Sequence, residues 1–434
     1  MSAFKLHTLK QKLWAIVAAS FAARVIMFFA LPNKASFLAP DEGAYAFLTK
    51  WIGESKPANE FPGYGQGLYL SGRTMIVPAS LLYRAGFNEL DSVRLIASTY
   101  GFCALILVVQ SALKIYNQDL AKGTHQPRNE NLIASIILVF AFLPSHFVWS
   151  NLGLRESPTE IWLITAFLAF FVIFHQKRIN FLNILILAGS IVFTFSARPQ
   201  VGWVLGVTLI LYLIFNLRNT ITYFILPIVF CAVVLGSTLN LGINLSTGST
   251  GSTGSTLGTI FIPLTSAGEV VEYKQEVNQL DAASVIETQS CPVETLSLAS
   301  SPPTKLGIYF CIAWRAPYMV STFLFRPILG IDVTSVSSLF AAVENITWMA
   351  LFVTIFGYLT RRRMMSFLDQ LLPAIIFIFL YVLGASAYQG NMGTGFRHKS
   401  LILWVVLLVI FALAWRKPLE PVEGTRNNSQ ENAV

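Results

Sequence analysis

Charged residues are scarce in this sequence. Only 12% of the 434 residues are Asp, Glu, Lys or Arg, whereas soluble proteins average about 25%. Hydrophobic residues make up 54% of the chain. This composition excludes a disordered chain, which needs low hydrophobicity and high charge. It also excludes a single soluble globular domain and indicates a membrane protein.

The sequence also lacks the common cofactor-binding and metal-binding motifs. It contains four cysteines, none in the C-x-x-C spacing of zinc or redox sites. It has no glycine-rich nucleotide-binding loop, and its basic residues form no single patch for nucleic acid. No metal-ligand spacing requires a divalent cation, although the acidic residues discussed below could bind one. We therefore expect no definite cofactor and leave a divalent cation open.

The apolar residues are gathered into long runs, each close to the length of about 20 residues that a transmembrane helix needs. Long runs argue against a membrane β-barrel, whose strands alternate in hydropathy. The sequence therefore predicts an all-α, polytopic transmembrane bundle of about ten spans. These lie at about 13–31, 93–114, 131–150, 158–174, 181–197, 200–216, 221–241, 337–360, 367–387 and 400–415.

Basic residues occur in every second predicted loop, as the positive-inside rule expects for cytoplasmic loops. We therefore expect a multi-pass protein of the cytoplasmic membrane with both termini in the cytoplasm. The first span is predicted to be an uncleaved helix. The basic residues of the predicted inner loops are Lys122, Arg128, Lys177, Arg178, Arg218, Arg361, Arg362, Arg363, Arg416 and Lys417.

This topology divides the chain into four parts. Residues 1–241 form a membrane module whose first outer loop is 32–92, and residues 242–336 form a large extracytoplasmic loop with a low-complexity STG segment. Residues 337–422 contain the last membrane helices, and 423–434 form a disordered tail. Cys291 and Cys311 lie in the large loop, where an oxidising compartment favours a disulfide over the alternative of two unpaired thiols.

Carboxylates stand at two predicted outer turns. Asp41 and Glu42 follow Pro40 directly after the first predicted span. Glu156 lies in the short turn after the third predicted span, 131–150. The apolar residues after Glu42 predict a helix that lies along the membrane interface. Neighbouring residues on a helix point about 100° apart, so only one of Asp41 and Glu42 can face a site. A carboxylate there suits a general base; the alternative is helix capping.

Single arginines persist at outer turns, where the positive-inside rule predicts few. The planar guanidinium suits phosphate oxygens, so a ring of arginines predicts binding of a lipid-linked phosphate or diphosphate. Snorkelling to lipid headgroups is the alternative for one or two of them. The basic residues predicted at this site are Arg94, Arg155, Arg198, Arg397, His398 and Lys399, and Arg73, Arg315 and Arg326 add to the same side.

At these residues the chain resembles the GT-C superfamily of integral-membrane glycosyltransferases, in particular its family-39-like bacterial branch. The resemblance covers roughly residues 10–220. The motifs that carry it are Pro40-Asp41-Glu42 with Tyr45; Gly67-Leu68-Tyr69-Leu70 through Leu81-Leu82-Tyr83-Arg84-Ala85-Gly86 to Val93-Arg94-Leu95; Leu143-Pro144-Ser145 followed by Leu152-Gly153-Leu154-Arg155-Glu156; and Arg198-Pro199-Gln200. Arg155 departs from the neutral residue that many members have before the second acid.

The resemblance implies a GT-C-like fold and transfer of a sugar from a polyprenyl-phosphate-linked donor. The acceptor would be an envelope glycan, lipid or protein outside the membrane. It implies that Asp41, with Glu42 beside it, is the base and that Glu156 is the second essential acid. Tyr45 would line the substrate site. A polysaccharide polymerase or ligase and a lipid-linked-glycan transporter are the alternative functions.

The charge pattern makes a prediction about sidedness. In a variant whose four native cysteines are replaced by serine, a cysteine at Gly393 should react with a membrane-impermeant maleimide in intact cells. A cysteine near Arg362 should react only after permeabilisation. Labelling at Gly393 that requires permeabilisation would contradict the ten-span topology.

Overall fold

The protein is described here by a computed structural model. Within the described part of the chain, every regular element is an α-helix and none is a strand. The described residues are 2–34, 41–56, 65–121, 130–174, 176–217, 219–245, 305–333, 336–361, 365–388 and 392–415.

The described residues form fourteen helices. They are α1 (Ser2–Ala30), α2 (Asp41–Gly53), α3 (Gly65–Arg84), α4 (Glu89–Ala121), α5 (Glu130–Phe142), α6 (Pro144–Asn151), α7 (Glu156–Phe174), α8 (Phe181–Ala197), α9 (Pro199–Phe215), α10 (Thr220–Leu245), α11 (Lys305–Phe325), α12 (Val336–Arg361), α13 (Met365–Tyr388) and α14 (Met392–Trp415).

The all-helical class and the membrane character predicted from sequence are confirmed at this level. Among the described residues, four helical segments are long and apolar enough to cross a membrane, within α1, α4, α7 and α10. A bent pair, α5 with α6, makes a fifth. Five further apolar helical stretches of 10–17 residues fall short of that length. The count of ten spans stays a prediction.

The break between α5 and α6 follows from one proline. Pro144 is the first residue of α6, and the residue before a proline is disfavoured from helical geometry. Leu143 is accordingly extended, with φ −61° and ψ 128°. The two helices meet at 41°. The new helix start is stabilised by Glu344 of α12, whose Oε2 accepts a hydrogen bond from the Ser145 backbone N–H at 2.6 Å.

The predicted helix after Pro40 is present as α2. Asp41 and Glu42 occupy its first turn, where acidic residues favour a helix start. Its buried face, with Tyr45 and Leu48, packs with α3 and α4. Phe47 is on the opposite face and is half-exposed.

An ion pair between Glu42 of α2 and Arg94 of α4 links these two helices. Arg94 donates from Nε to Glu42 Oε1 at 2.8 Å and from Nη2 to Oε2 at 2.9 Å, and neither side chain is exposed. Glu42 Oε1 also accepts the backbone N–H of Gly153 at 2.9 Å. The remaining Arg94 donors reach the carbonyls of Pro32 and Lys34. This pair therefore joins α2, α4 and the turn before α7.

The predicted large loop, 242–336, contains a helix of 21 residues, α11. This helix packs against α13 and α12, so the end of the loop belongs to the bundle. Cys311 is in α11, while Cys291, the STG segment and the tail 423–434 lie outside the described residues. The disulfide therefore stays a prediction.

Replacing Arg94 by Met should leave the Glu42 carboxylate buried without its cation. Breaking one side of a buried pair costs about 3–5 kcal/mol, so we expect a clear drop in Tm of the detergent-solubilised protein. Adding Glu42→Gln should recover part of the loss, because the amide oxygen can still accept the Gly153 N–H without a charge. A single variant as stable as the parent would contradict the role of this pair.

Candidate functional site

Side chains from four separate segments meet at one end of the bundle. Asp41 begins α2, Glu156 begins α7, and Arg397 lies in the first turns of α14. Arg198 is the single extended residue between α8 and α9, with φ −158° and ψ 96°. Pro199 starts α9 directly after it and requires this extended conformation. The local sequence therefore fixes where the Arg198 side chain leaves the backbone.

Arg397 lies between the carboxylates of Asp41 and Glu156, and Arg198 lies beside Glu156; we call these four residues the arginine–carboxylate cluster. Arg397 Nη2 lies 3.1 Å from Asp41 Oδ2 and its Nε lies 3.4 Å from Glu156 Oε1. Arg198 Nη2 lies 3.3 Å from the same Glu156 oxygen. The Asp41 side chain is 50% exposed but that of Glu156 only 4%. The cluster is thus open at Asp41 and closed at Glu156.

Two further predicted residues border this cluster. Tyr45 lies within electrostatic range of Asp41, Glu156, Arg155 and Arg198. Burial raises the pKa of the Tyr45 phenol above its ordinary value, so the group stays neutral and can donate a hydrogen bond. Arg155 precedes Glu156 and acts on it electrostatically. The structure therefore brings Asp41, Tyr45, Arg155, Glu156, Arg198 and Arg397 together.

Three guanidinium groups lie at or beside the cluster. Those of Arg198 and Arg397 lie close to its carboxylates, and that of Arg155 acts on Glu156 electrostatically. Buried cations elsewhere in the described chain each have an acid nearby. Arg94 pairs with Glu42, Arg24 acts with Glu160, and Lys399 with Glu344. The cluster thus gathers several arginines at a partly open position, which makes it the candidate anion site.

Glu42 and Arg94 do not belong to this site, which corrects their predicted roles. Both side chains are fully buried and bind each other. Because Glu42 follows Asp41 on the helix, it points about 100° away from the cluster. Of the two neighbouring carboxylates, Asp41 is therefore the one that faces the cluster.

Lys399 also faces away from the cluster, because it lies two residues after Arg397 on α14. Lys399 is fully buried, and its Nζ donates to the carbonyls of Leu324 and Arg326 and to Asn345 Oδ1 at 2.7–3.1 Å. It thereby caps the C-terminal end of α11. His398 is 5% exposed. The predicted phosphate-binding role of Lys399 is therefore replaced by a structural one, whereas that of His398 stays a prediction.

Sequence reasoning missed a second buried polar chain, formed by Arg24, His146 and Glu160. Arg24 Nη2 lies 3.4 Å from His146 Nε2, and His146 Nδ1 lies 2.8 Å from Glu160 Oε2. Arginine only donates, so a hydrogen bond between these two groups requires Nε2 of His146 to accept. The available signal was that charged residues inside apolar runs are rare and usually paired.

Glu160 lies one helical turn after Glu156 on α7, so the buried chain supports the helix that carries the cluster. Among the described residues, no group of three or more His, Cys, Asp or Glu side chains is arranged to hold a metal ion. Comparison with known proteins gives no match to a family model, to a curated protein or to a solved structure. The resemblance noted from sequence therefore stays a prediction.

A glycine of α4 makes room for the Arg24 chain and allows a test of it. A Cβ at Gly101 would lie 2.4 Å from Ser150 Cβ and 3.2 Å from Arg24 Nη1. We expect Gly101→Ala to lower the Tm by displacing both groups. The matched control is Gly189→Ala in α8, where nothing lies within 4 Å and the change should stabilise by up to about 1 kcal/mol. Similar Tm shifts for the two variants would show that the Arg24 chain tolerates displacement.

Proposed function

We propose that this protein is a GT-C-type membrane glycosyltransferase that takes a sugar from a polyprenyl-phosphate-linked donor. Its acceptor is an envelope glycan, lipid or protein on the outer side of the cytoplasmic membrane. The observation that carries the proposal is the arginine–carboxylate cluster. Its arginines and its half-exposed carboxylate match the two needs of glycosyl transfer, stabilisation of a phosphate leaving group and a base.

The arginines would act on the leaving phosphate. Arg198 and Arg397 offer planar donor pairs at the closed side of the cluster, and Arg155 adds charge beside them. Donors fixed before the reaction stabilise charge as it develops on the leaving oxygen. Glu156, held by both Arg198 and Arg397, would orient these guanidinium groups.

Asp41 would act on the acceptor. Without a ligand, Arg397 contacts both Asp41 and Glu156. Donor phosphate would attract Arg397 and release the Asp41 carboxylate to accept the proton of the acceptor hydroxyl. The acceptor oxygen then bonds to the sugar carbon, the carbon–oxygen bond to phosphate breaks, and its electron pair leaves with the polyprenyl phosphate. The arginines would thus act on the leaving phosphate, and Asp41 would act on the acceptor hydroxyl.

The membrane arrangement belongs to the same proposal. Ten spans with both termini in the cytoplasm would put the cluster at the outer membrane surface. The polyprenyl tail would lie between apolar helices. The same site could serve a polymerase or ligase with a lipid-linked oligosaccharide donor, and the size of the donor distinguishes these reactions.

A transporter is the second candidate, because the α5–α6 pair is a broken helix. Broken helices in transporters point free helix ends at substrates near the membrane centre. In this protein the start of α6 is already bound by Glu344. Because Glu344 already occupies this helix start, the broken helix supports a transporter less well than the arginine–carboxylate cluster supports a glycosyltransferase.

The test is lipid analysis of a deletion strain complemented with variants. The deletion should accumulate the lipid-linked donor, and the parent gene should clear it. Asp41→Asn keeps the size of the side chain but removes the base, so turnover should fall by about 100-fold or more. The accumulated lipid should then persist.

Asp91→Asn is the matched control, since Asp91 lies in the first turn of α4 and its carboxylate accepts a hydrogen bond from Asn88. It should clear the lipid at the parent rate when expressed at the parent level. Clearance by Asp41→Asn at that same rate would overturn the role of Asp41 as base. A deletion strain that accumulates no lipid-linked sugar would overturn the glycosyltransferase proposal.

A further inference from the structure

The segment between α11 and α12 presents large aliphatic side chains on its surface. We call residues 327–332 the apolar turn. Its two end residues are buried, and the four between them are exposed. A cluster of exposed apolar side chains marks a contact surface for a partner or a membrane. The exposed aliphatic residues are Ile328 (43%), Leu329 (49%) and Ile331 (73%).

The charged residues at the two ends of the apolar turn bind each other. Arg326, directly before the turn, donates from Nε to Asp332 Oδ2 at 2.9 Å, and its Nη2 also binds this carboxylate. The Asp332 side chain is only 4% exposed, and it accepts the Ile328 backbone N–H at 2.7 Å. The ends are thereby joined, and the exposed residues between them carry no charge.

The backbone carbonyls that lead into the apolar turn are bound by neighbouring helices. Lys399 of α14 donates from Nζ to two of them at 3.0 and 3.1 Å, and Asn345 of α12 donates from Nδ2 to two others at 2.8 and 3.4 Å. In hydrocarbon, non-helical chain is tolerated only where protein groups bind its backbone polar groups. The four bound carbonyls are those of Leu324, Phe325, Arg326 and Pro327.

The apolar turn runs beside the first turns of α12. Asn345, which binds the Pro327 carbonyl, lies more than two turns inside α12, which begins at Val336. Asp332, at the other end of the apolar turn, comes shortly before Val336. The first turns of α12 are themselves apolar on their exposed side, so apolar surface continues at this level of the bundle. The exposed residues there are Leu339, Phe340, Val343 and Ile346.

We propose that the apolar turn is inserted into the bilayer, where Ile328, Leu329 and Ile331 contact lipid acyl chains. The hydrocarbon covers these side chains, the mutual pairing of Arg326 and Asp332 keeps charge away from it, and the bound carbonyls remove the cost of non-helical backbone. The end of the segment 242–336, which the sequence predicts to be extracytoplasmic, then lies within the membrane.

The experiment measures the surroundings of a bimane fluorophore attached to Ile331→Cys, in the variant whose native cysteines are replaced by serine. The purified full-length protein is placed in phospholipid vesicles at a low ratio of protein to lipid. Lipids with a doxyl quencher on the acyl chain should remove most of the fluorescence, whereas iodide in the water should remove little. Leu329→Cys gives a second attachment point if the first variant loses the Tm of the parent.

Two matched variants calibrate the result. Val343→Cys lies on the exposed apolar side of α12 and should be quenched by the doxyl lipid. Arg178→Cys lies in the exposed polar turn between α7 and α8 and should be quenched by iodide. Quenching of the bimane at Ile331 by iodide to the extent seen at Arg178 would overturn the proposal. Protection from both quenchers would also overturn it, because protein rather than lipid would then cover the turn.

Discussion

The cost of burying charge in an apolar bundle is the constraint on which the rest of this structure depends. A helix bundle with so few charged residues can bury one only if a partner compensates it. The protein meets this requirement repeatedly. Glu42 binds Arg94, Glu160 acts with Arg24 through His146, and Glu344 lies near Lys399. These pairs join helices that are distant in sequence.

The arginine–carboxylate cluster differs from these pairs because it is partly open. The Asp41 side chain is 50% exposed, whereas those of Glu42 and Arg94 are fully buried. Charged groups at a partly open position are accessible to solvent or to a ligand anion. The neighbouring pairs hold this position in place, since Glu42–Arg94 fixes α2 behind Asp41 and the Arg24 chain supports α7 behind Glu156.

Much of the fold was predictable because apolar runs and turn residues are local signals. The extended residue at Arg198 follows from Pro199, and the break before α6 follows from Pro144. The sequence also predicted Asp41, Glu156, Arg198 and Arg397 as one group, since all four stand at helix ends that share a side of the predicted bundle.

The wrong site predictions arose from side-chain direction. The sequence indicates that direction only through the spacing of residues along a helix. Glu42 lies beside Asp41, and Lys399 lies two residues after Arg397, yet both point into the bundle. The sequence therefore showed which charged residues lie near a helix end, but it did not show which residue each of them pairs with. Arg24 and His146 were missed because their pairing joins residues more than a hundred positions apart.

We propose that the cluster binds a phosphate group, and the most direct measurement is a cryo-EM structure with farnesyl phosphate bound. We expect phosphate density between Arg198 and Arg397, with Arg397 withdrawn from Asp41. Saturating ligand that binds elsewhere, while the contact between Arg397 and Asp41 remains intact, would contradict this expectation.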